Sequence, residues 1–129
     1  MATHAFGTAI NCMDGRVQEP VAKWLKENFS VTYVHMITEP GPALLVTTAS
    51  PAPMARLKAK AEISVVKRGS RVIALAGHHD CAANASSPEE HREQIRQGVQ
   101  ALQAWGLETS AVGLWVNEAW EVEQVTQQV

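Results

Sequence analysis

The sequence predicts a three-layer α/β fold in which helices cover both faces of a mostly parallel, four-stranded sheet. Short apolar segments rich in β-branched residues alternate along the chain with longer segments of helical periodicity. Two of the apolar segments, RVIALA at 71–76 and AVGLWV at 111–116, are almost continuously apolar. Such runs are typical of strands that are buried on both faces of a parallel sheet.

The first part of the chain supplies two further strands and one helix. AFGTAI at 5–10 and VTYVHMI at 31–37 are short, β-rich and bounded by residues that break regular structure, so both are predicted to be strands. The segment between them has apolar residues at helical spacing, which predicts a helix over 17–29. Its apolar face comprises Val17, Val21, Trp24 and Leu25.

The stretch TEPGPALLVTTASPAP at 38–53 contains four of the six prolines of the chain. Because proline lacks an N–H donor and restricts the preceding residue, this cluster predicts a long loop. A second helix is then expected over 54–69, ending at Gly69.

A third helix, over 87–105, has the clearest start signal. Ser87 is a suitable cap, Pro88 fits the first turn and Glu90 completes a capping box, while Gly106 ends the helix. The segment from Asn117 onward has a loosely helical pattern, and we expect it to dock on the body of the domain or on a second chain. Its apolar residues are Trp120, Val122, Val125 and Val129.

The bulk composition narrows the function classes. The 129 residues are 46% hydrophobic and 19% charged, with a net charge of −2 and no basic stripe that indicates nucleic-acid binding. No window approaches the 18 apolar residues of a membrane span, and the N-terminus lacks the pattern of a leader. We therefore expect one cytoplasmic domain over 1–129 that binds a small-molecule substrate and neither nucleic acid nor membrane.

Both cysteines lie at predicted strand ends. Cys12 follows the first strand, and His78 and Cys81 follow the third, within GHHDCAAN at 77–84. In doubly wound sheets, ligands bind beyond the carboxyl ends of the strands, where the winding direction reverses. If the second strand lies outside the first, the strand order is 2-1-3-4 and the three side chains meet at that point.

Two thiolates and an imidazole form a ligand set that zinc favours in tetrahedral sites. We therefore predict one zinc ion per chain, bound by Cys12, His78 and Cys81. Three protein ligands leave one corner for water, as in catalytic sites, whereas a purely structural site needs a fourth protein ligand. The candidates for a fourth ligand are Asp14, His79 and Asp80.

The motif NCMDGR adds residues that metal binding alone does not require. Asp14 and Arg16 are close enough for a bidentate ion pair beside the metal. Two thiolates neutralise the charge of zinc and weaken it as a Lewis acid. A carboxylate held by Arg16 would help to orient a hydroxide at the metal.

The pair CMDGR and GHHDC resembles the signature of the β-class carbonic anhydrases, Cys-x-Asp-x-Arg followed by His-x-x-Cys, and the resemblance extends over about 6–116. It implies a zinc site on Cys12, His78 and Cys81, an orienting dyad of Asp14 and Arg16, reversible hydration of carbon dioxide to bicarbonate, and a homodimer or higher homo-oligomer. In some members of the family the aspartate turns onto zinc and displaces the water.

The match has departures, and these keep other functions open. The chain is short for the family, 38–42 replaces an Arg-Asn-Ala-Gly type of loop, and Gly15 and Ala82 stand where serine and glycine are usual. Two alternatives are therefore kept: hydrolysis of another linear molecule, carbonyl sulfide or carbon disulfide, and a zinc-binding protein of this fold with little activity.

Several further side chains allow two interpretations. His79 and Asp80 are either proton shuttles or solvent-facing residues. His35 either lines the pocket or is a hydrogen-bonded core residue, and Glu39 either shapes the entrance or belongs to a rigid connector. His4 and His91 are expected at the surface. The four tryptophans, Trp24, Trp105, Trp115 and Trp120, are expected in the core or at a subunit interface.

Overall fold

A computed structural model of the protein describes residues 5–48 and 50–126, which form an α/β structure around one five-stranded sheet. The strand order is β2-β1-β3-β4-β5, so the predicted order 2-1-3-4 is confirmed and a fifth strand is added beside β4. The first four strands are parallel and β5 is antiparallel to β4. The strands are β1 (Phe6–Cys12), β2 (Tyr33–Glu39), β3 (Val72–His78), β4 (Ser110–Val116) and β5 (Val122–Gln124).

The sheet separates two apolar layers because successive side chains of a strand point to opposite faces. β3 is buried along its whole length: Val72 and Ala74 belong to the cluster packed by the first helix, and Ile73 and Leu75 to the cluster packed by the later helices. Helices thus cover both faces, as the apolar runs predict. The helices are α1 (Gln18–Phe29), α2 (Pro42–Thr48), α3 (Pro51–Glu62), which continues into a π-helical turn (Ile63–Lys67), and α4 (Pro88–Gln103).

The start of α4 has the capping arrangement that its sequence predicts. The Ser87 hydroxyl accepts a hydrogen bond from the Glu90 amide, and the Glu90 carboxylate accepts one from the Ser87 amide. The predicted end of the second helix is also found, since Gly69, with a φ of +64°, directly follows Arg68, the C-terminal cap of the π-helical turn. Among the described residues, no helix is both long and apolar enough to cross a membrane.

The prediction of a loop over 38–53 is wrong for most of that stretch. Pro42 begins α2 and Pro51 begins α3, so these prolines start helices where the sequence analysis expects them to interrupt structure. The physical reason is that the first turn of a helix does not use its N–H groups internally, so proline is tolerated there.

The C-terminal segment was expected to be helical, and that expectation is also wrong. It forms a turn followed by β5, whose Val122 and Glu123 pair with Val116 and Trp115 of β4. Trp120 and Val122 pack on the α1 side of the sheet and Val125 on the α4 side, so these apolar residues serve the core of their own chain. Val129 and His4 lie outside the described residues.

Candidate metal centre

The fold brings the three predicted metal ligands together. Cys12 ends β1 and His78 ends β3, two adjacent parallel strands, while Cys81 lies in the loop after β3. The two sulfurs are 3.9 Å apart, and all three ligand atoms lie within 4.8 Å of one another. In a tetrahedral site, ligand atoms lie about 2.0 to 2.3 Å from the metal and therefore less than about 4 Å from one another. Small movements of the three side chains would bring the observed spacing to this geometry.

His78 is prepared to bind through its Nε2 atom. Its Nδ1–H donates a hydrogen bond to the carbonyl oxygen of His79 at 2.6 Å, which fixes the tautomer and leaves a lone pair on Nε2. That Nε2 is buried and has no hydrogen-bond partner in the described part of the chain. Burial lowers the pKa of His78, so the ring is held in the neutral form that a metal requires. An orphaned buried acceptor beside two sulfurs is the observation that fits a metal ion best.

The thiol of Cys81 has no cationic side chain as a hydrogen-bond partner in the part of the chain that the structure describes. Burial raises its pKa, and the proximity of Cys12 raises it further, so the thiol form is favoured in the protein alone. A divalent cation would supply the missing charge and displace the proton. Both cysteines are free, Cys12 buried and Cys81 partly buried.

Asp14 and Arg16 form the ion pair that the motif predicts. The Asp14 Oδ1 atom accepts hydrogen bonds from the Arg16 amide and Nε, both at 3.0 Å, and Oδ2 accepts one from Arg16 Nη2 at 2.7 Å. Hydrogen bonding to Arg16 holds the pKa of Asp14 well below its usual range, and the carboxylate raises the pKa of Arg16. Asp14 is therefore a permanent anion that accepts hydrogen bonds and donates none.

Gln18 is a site residue that sequence reasoning missed. Its Nε2 atom donates hydrogen bonds to the carbonyl oxygens of Cys12 and Asp14, each at 2.7 Å. Gln18, the first residue of α1, thereby fixes the backbone on both sides of Met13. The only signal in the sequence was the position of this glutamine, four residues after Asp14 and at the start of a predicted helix.

A cavity of about 340 Å³ lies at the β2 edge, away from the metal ligands, and His35 lines it. The His35 Nδ1 atom is hydrogen-bonded to the Ser64 hydroxyl at 2.5 Å, and its ring stacks on Phe6. His35 is thus a hydrogen-bonded, half-buried residue. Glu39 pairs with Lys60 at 3.3 Å and is not among the residues that line the cavity beside the metal ligands, whereas Pro40 is.

A smaller cavity of about 230 Å³ adjoins the candidate metal site. Apart from the thiol of Cys12 and the carboxylate of Asp14, its walls are apolar. Gly41, with a φ of +53°, brings the loop after β2 against this region, since a Cβ atom there would lie 3.2 Å from the Ala83 carbonyl oxygen. The lining residues are Cys12, Met13, Asp14, Pro40, Ala82 and Ala83.

The expectation that His91 lies at the surface is wrong. It is 2% exposed, and its ring lies edge-on to Trp115 with 5.0 Å between the centroids. The signal that sequence reasoning overlooked is its spacing of four residues from Ile95, which places both on the buried face of α4.

His79, Asp80 and Trp120 lie around the rim of the site. The His79 ring is half-buried, 4.5 Å from the Trp120 ring, and Asp80 is exposed with its carboxylate 3.3 Å from Arg16 Nη1. Neither His79 nor Asp80 belongs to the group of three ligand atoms that lie within 4.8 Å of one another.

The fold and the site define the class: an α/β protein with a Cys-His-Cys cluster, suited to hold a metal ion, at the reversal point of a parallel sheet. A family model described as "Putative carbonic anhydrase" matches residues 2–126, and the chain belongs to this family. A search of the curated proteins finds no match.

Solved structures of β-carbonic anhydrases share the fold. One, described as tetrameric, from the ascomycete Sordaria macrospora aligns with a TM-score of 0.64 and 13% identity over 98% of this chain and 83% of that chain. Another, from the protozoan Trichomonas vaginalis, gives 0.61 and 16% over 98% and 86%. A carbonic anhydrase from Streptococcus mutans gives 0.60 and 17% over 92% and 81%. The predicted family and fold are thus confirmed.

Proposed function

We propose that the protein catalyses the zinc-dependent, reversible hydration of carbon dioxide to bicarbonate. The observation that carries the proposal is the convergence of Cys12, His78 and Cys81, with Asp14 held beside them by Arg16. Zinc in this cluster would supply Lewis acidity, which lowers the pKa of water toward neutrality. The reaction adds water to the carbon and releases one proton for each bicarbonate formed.

The role of Asp14 follows from its charge and its partners. It remains ionised at any working pH because hydrogen bonding to Arg16 holds its pKa so low. An acceptor-only group beside the metal ligands orients the O–H of an attacking water, so that the lone pair of that water faces the substrate. Arg16 fixes the carboxylate through three hydrogen bonds, which reduces the reorganisation needed during the reaction.

The cavity beside the ligands matches the substrate. Carbon dioxide has neither charge nor a permanent dipole, and the walls formed by Met13, Pro40, Ala82 and Ala83 offer it apolar contact. Carbonyl sulfide is also linear and weakly polar, so the same walls favour its hydrolysis to carbon dioxide and hydrogen sulfide as a second candidate function.

The assembly and location are part of the proposal. We propose a homodimer or a higher homo-oligomer, supported by the exposed apolar side chains of Met36 in the edge strand β2 and of Ile63, which lines the same cavity as Met36. We also propose a cytoplasmic location, because thiols that are not joined in a disulfide are typical of reducing compartments. Light scattering after gel filtration measures the assembly.

The test compares the wild type with Cys81→Ser and Asp14→Asn, using Glu93→Gln on the exposed face of α4 as the matched carboxylate control. We expect about one zinc per chain in the wild type, loss of zinc in Cys81→Ser because a hydroxyl is a poorer ligand, and retained zinc with strongly reduced hydration in Asp14→Asn. Hydration is followed by proton release after rapid mixing with dissolved carbon dioxide.

Full zinc occupancy with background hydration at both neutral and alkaline pH contradicts the carbonic anhydrase assignment. Release of hydrogen sulfide from carbonyl sulfide would then support the second candidate. Failure of both reactions would leave a zinc-binding protein with little activity.

A further inference from the structure

Three loops converge on the guanidinium group of Arg16. Asp14 binds it from the loop after β1, and Asp80 binds it from the loop after β3, with its carboxylate 3.3 Å from Nη1 and its carbonyl oxygen 3.4 Å from Nη2. From the loop after β4, the ring of Trp120 lies over the group, with Arg16 Cζ 4.5 Å from the ring centroid. The two carboxylates hold the edges of the guanidinium and the indole covers one face.

The backbone conformation of Trp120 indicates that the surrounding turn fixes the position of the ring. Its φ of +60° lies in the left-handed region, which is unfavourable for a bulky side chain. Asn117 maintains this turn: its carbonyl oxygen accepts a hydrogen bond from the Trp120 amide at 2.8 Å, and its Oδ1 accepts bonds from the amides of Ala119 and Glu121. Backbone strain of this kind persists only where the surroundings fix it, and it is concentrated at functional sites.

The same ring also contacts the second ligand loop. Its centroid is 4.5 Å from that of His79 and 6.3 Å from that of His78, and the residue packs against the apolar cluster on the α1 side of the sheet. The Trp120 ring therefore lies between Arg16 on one side and His78 and His79 on the other. Among the described residues, it is the only aromatic side chain with a ring over Arg16.

The covering of Arg16 has a consequence for Asp14. The Arg16 side chain is 48% exposed, so water competes for its donors on the open face. A cation that stacks on an indole is stabilised on the ring face and loses freedom to turn away. As long as Arg16 stays in this position, both oxygens of Asp14 are engaged by it. If Arg16 turned away, both oxygens of Asp14 would lose these hydrogen bonds, and the carboxylate, which lines the same cavity as Cys12, would be free to turn toward a metal ion held by the three ligands.

We propose that Trp120 is a positioning residue that holds Arg16 on Asp14 and thereby keeps Asp14 from occupying the fourth position at the metal. The inference rests on the metal site of the proposed function and does not require that carbon dioxide is the substrate. Trp120 is not one of the three ligands and does not line the apolar cavity, but its ring lies near that of His78, so the test must separate an effect through Arg16 from one through the ligand.

The test uses cobalt(II)-substituted protein, whose visible absorption reports coordination, and measures the affinity for azide as a probe of the fourth position. We expect Trp120→Leu to weaken azide binding about tenfold, equivalent to about 1.4 kcal/mol, because Asp14 then competes for the metal. Trp120→Phe retains a ring face and should recover most of the affinity. Trp105→Leu, which removes another partly buried tryptophan away from the site, should bind azide like the wild type.

A cycle with Asp14→Ala separates positioning from packing. In the Asp14→Ala background no carboxylate competes, so Trp120→Leu should leave azide affinity unchanged. An equal loss in both backgrounds would show that Trp120 acts only through packing and would overturn the proposal. Unchanged azide affinity in Trp120→Leu with full cobalt occupancy would overturn it as well.

If Trp120→Leu does not fold, Trp120→Gly provides the second test, because glycine adopts a φ of +60° without strain and still removes the ring. The same tenfold loss is expected, and wild-type affinity in this variant counts against the proposal. Background hydration of carbon dioxide in the wild type, together with the expected azide results, would refute the proposed function and leave the role of Trp120 intact.

Discussion

His91 should make the protein less stable in acid. Its ring is 2% exposed, its Nε2 is buried without a partner among the described residues, and it packs so closely on β3 that a Cβ atom at Gly77 would lie 2.5 Å from Nε2. There is no room for water to solvate an imidazolium at this position. Burial, and to a lesser extent the charge of His78, lowers the pKa of His91 from 6.5 to about 4.

The size and sign of the effect follow from linkage. An unfolded chain protonates this histidine as the pH falls through 6.5, whereas the folded protein resists protonation until about pH 4. The stabilisation is therefore fully present above pH 6.5 and is lost progressively as the pH falls toward 4. At about 1.4 kcal/mol for each pKa unit, the loss is on the order of 3 kcal/mol, a large fraction of a typical unfolding free energy of about 5–15 kcal/mol.

The assay is urea unfolding of the wild type and His91→Gln at pH 7.5 and pH 4.5, with a chelator in both samples so that release of metal does not contribute. The variant is expected to be less stable at pH 7.5, because glutamine fills the site poorly, and to lose about 2.5 kcal/mol less than the wild type between the two pH values, since pH 4.5 is still slightly above the pKa of His91 in the folded protein. An identical loss in both proteins would refute the reasoning, since the acid sensitivity would then arise elsewhere.

Three further changes probe the residues that shape the site and its helices. Gln18→Glu removes two donors to the carbonyl oxygens of Cys12 and Asp14 and should weaken zinc binding at least about tenfold in a competition with a chromophoric chelator; unchanged affinity would show that the turn holds itself. Ser87→Ala removes the cap of α4 and should lower the unfolding free energy by about 1 kcal/mol in urea, with zinc affinity unchanged. Gly41→Ala forces a side chain into a φ of +53° and should lower the melting temperature by several degrees, and a gain in thermal stability would contradict this account of the loop.

The ligand set and the sheet order could be predicted because both depend on local signals. Cys12, His78 and Cys81 each follow an apolar run, and parallel strands place their carboxyl ends at one edge, so sequence positions translate directly into proximity. Asp14 and Arg16 are two residues apart, and a single turn is enough to join them. Only the placement of β1 beside β3 joins distant parts of the chain, and it follows from the expectation that the three side chains meet at the reversal point of the sheet.

The C-terminal segment and the proline-rich stretch could not be predicted in the same way. β5 has only three residues, too few for a period of two to be distinguished from a loosely helical spacing, and its pairing with β4 is decided by tertiary contact. In the stretch 38–53 the same residue type, proline, both interrupts helices and begins them. The deciding factor is whether apolar residues that follow find a buried face, as Ala43 and Val46 of α2 do.

The proposed metal ligands and the residues proposed to position them thus differ in how clearly the sequence indicates them. A ligand must have a particular chemistry, so cysteine and histidine at strand ends carry a signal of their own. A positioning residue needs only shape and a contact, and Trp120 provides its contact with Arg16 across 104 positions of sequence through a turn that Asn117 maintains. For that reason the C-terminal turn, which carries no motif, is where substitutions that alter the metal site without touching its ligands should be sought.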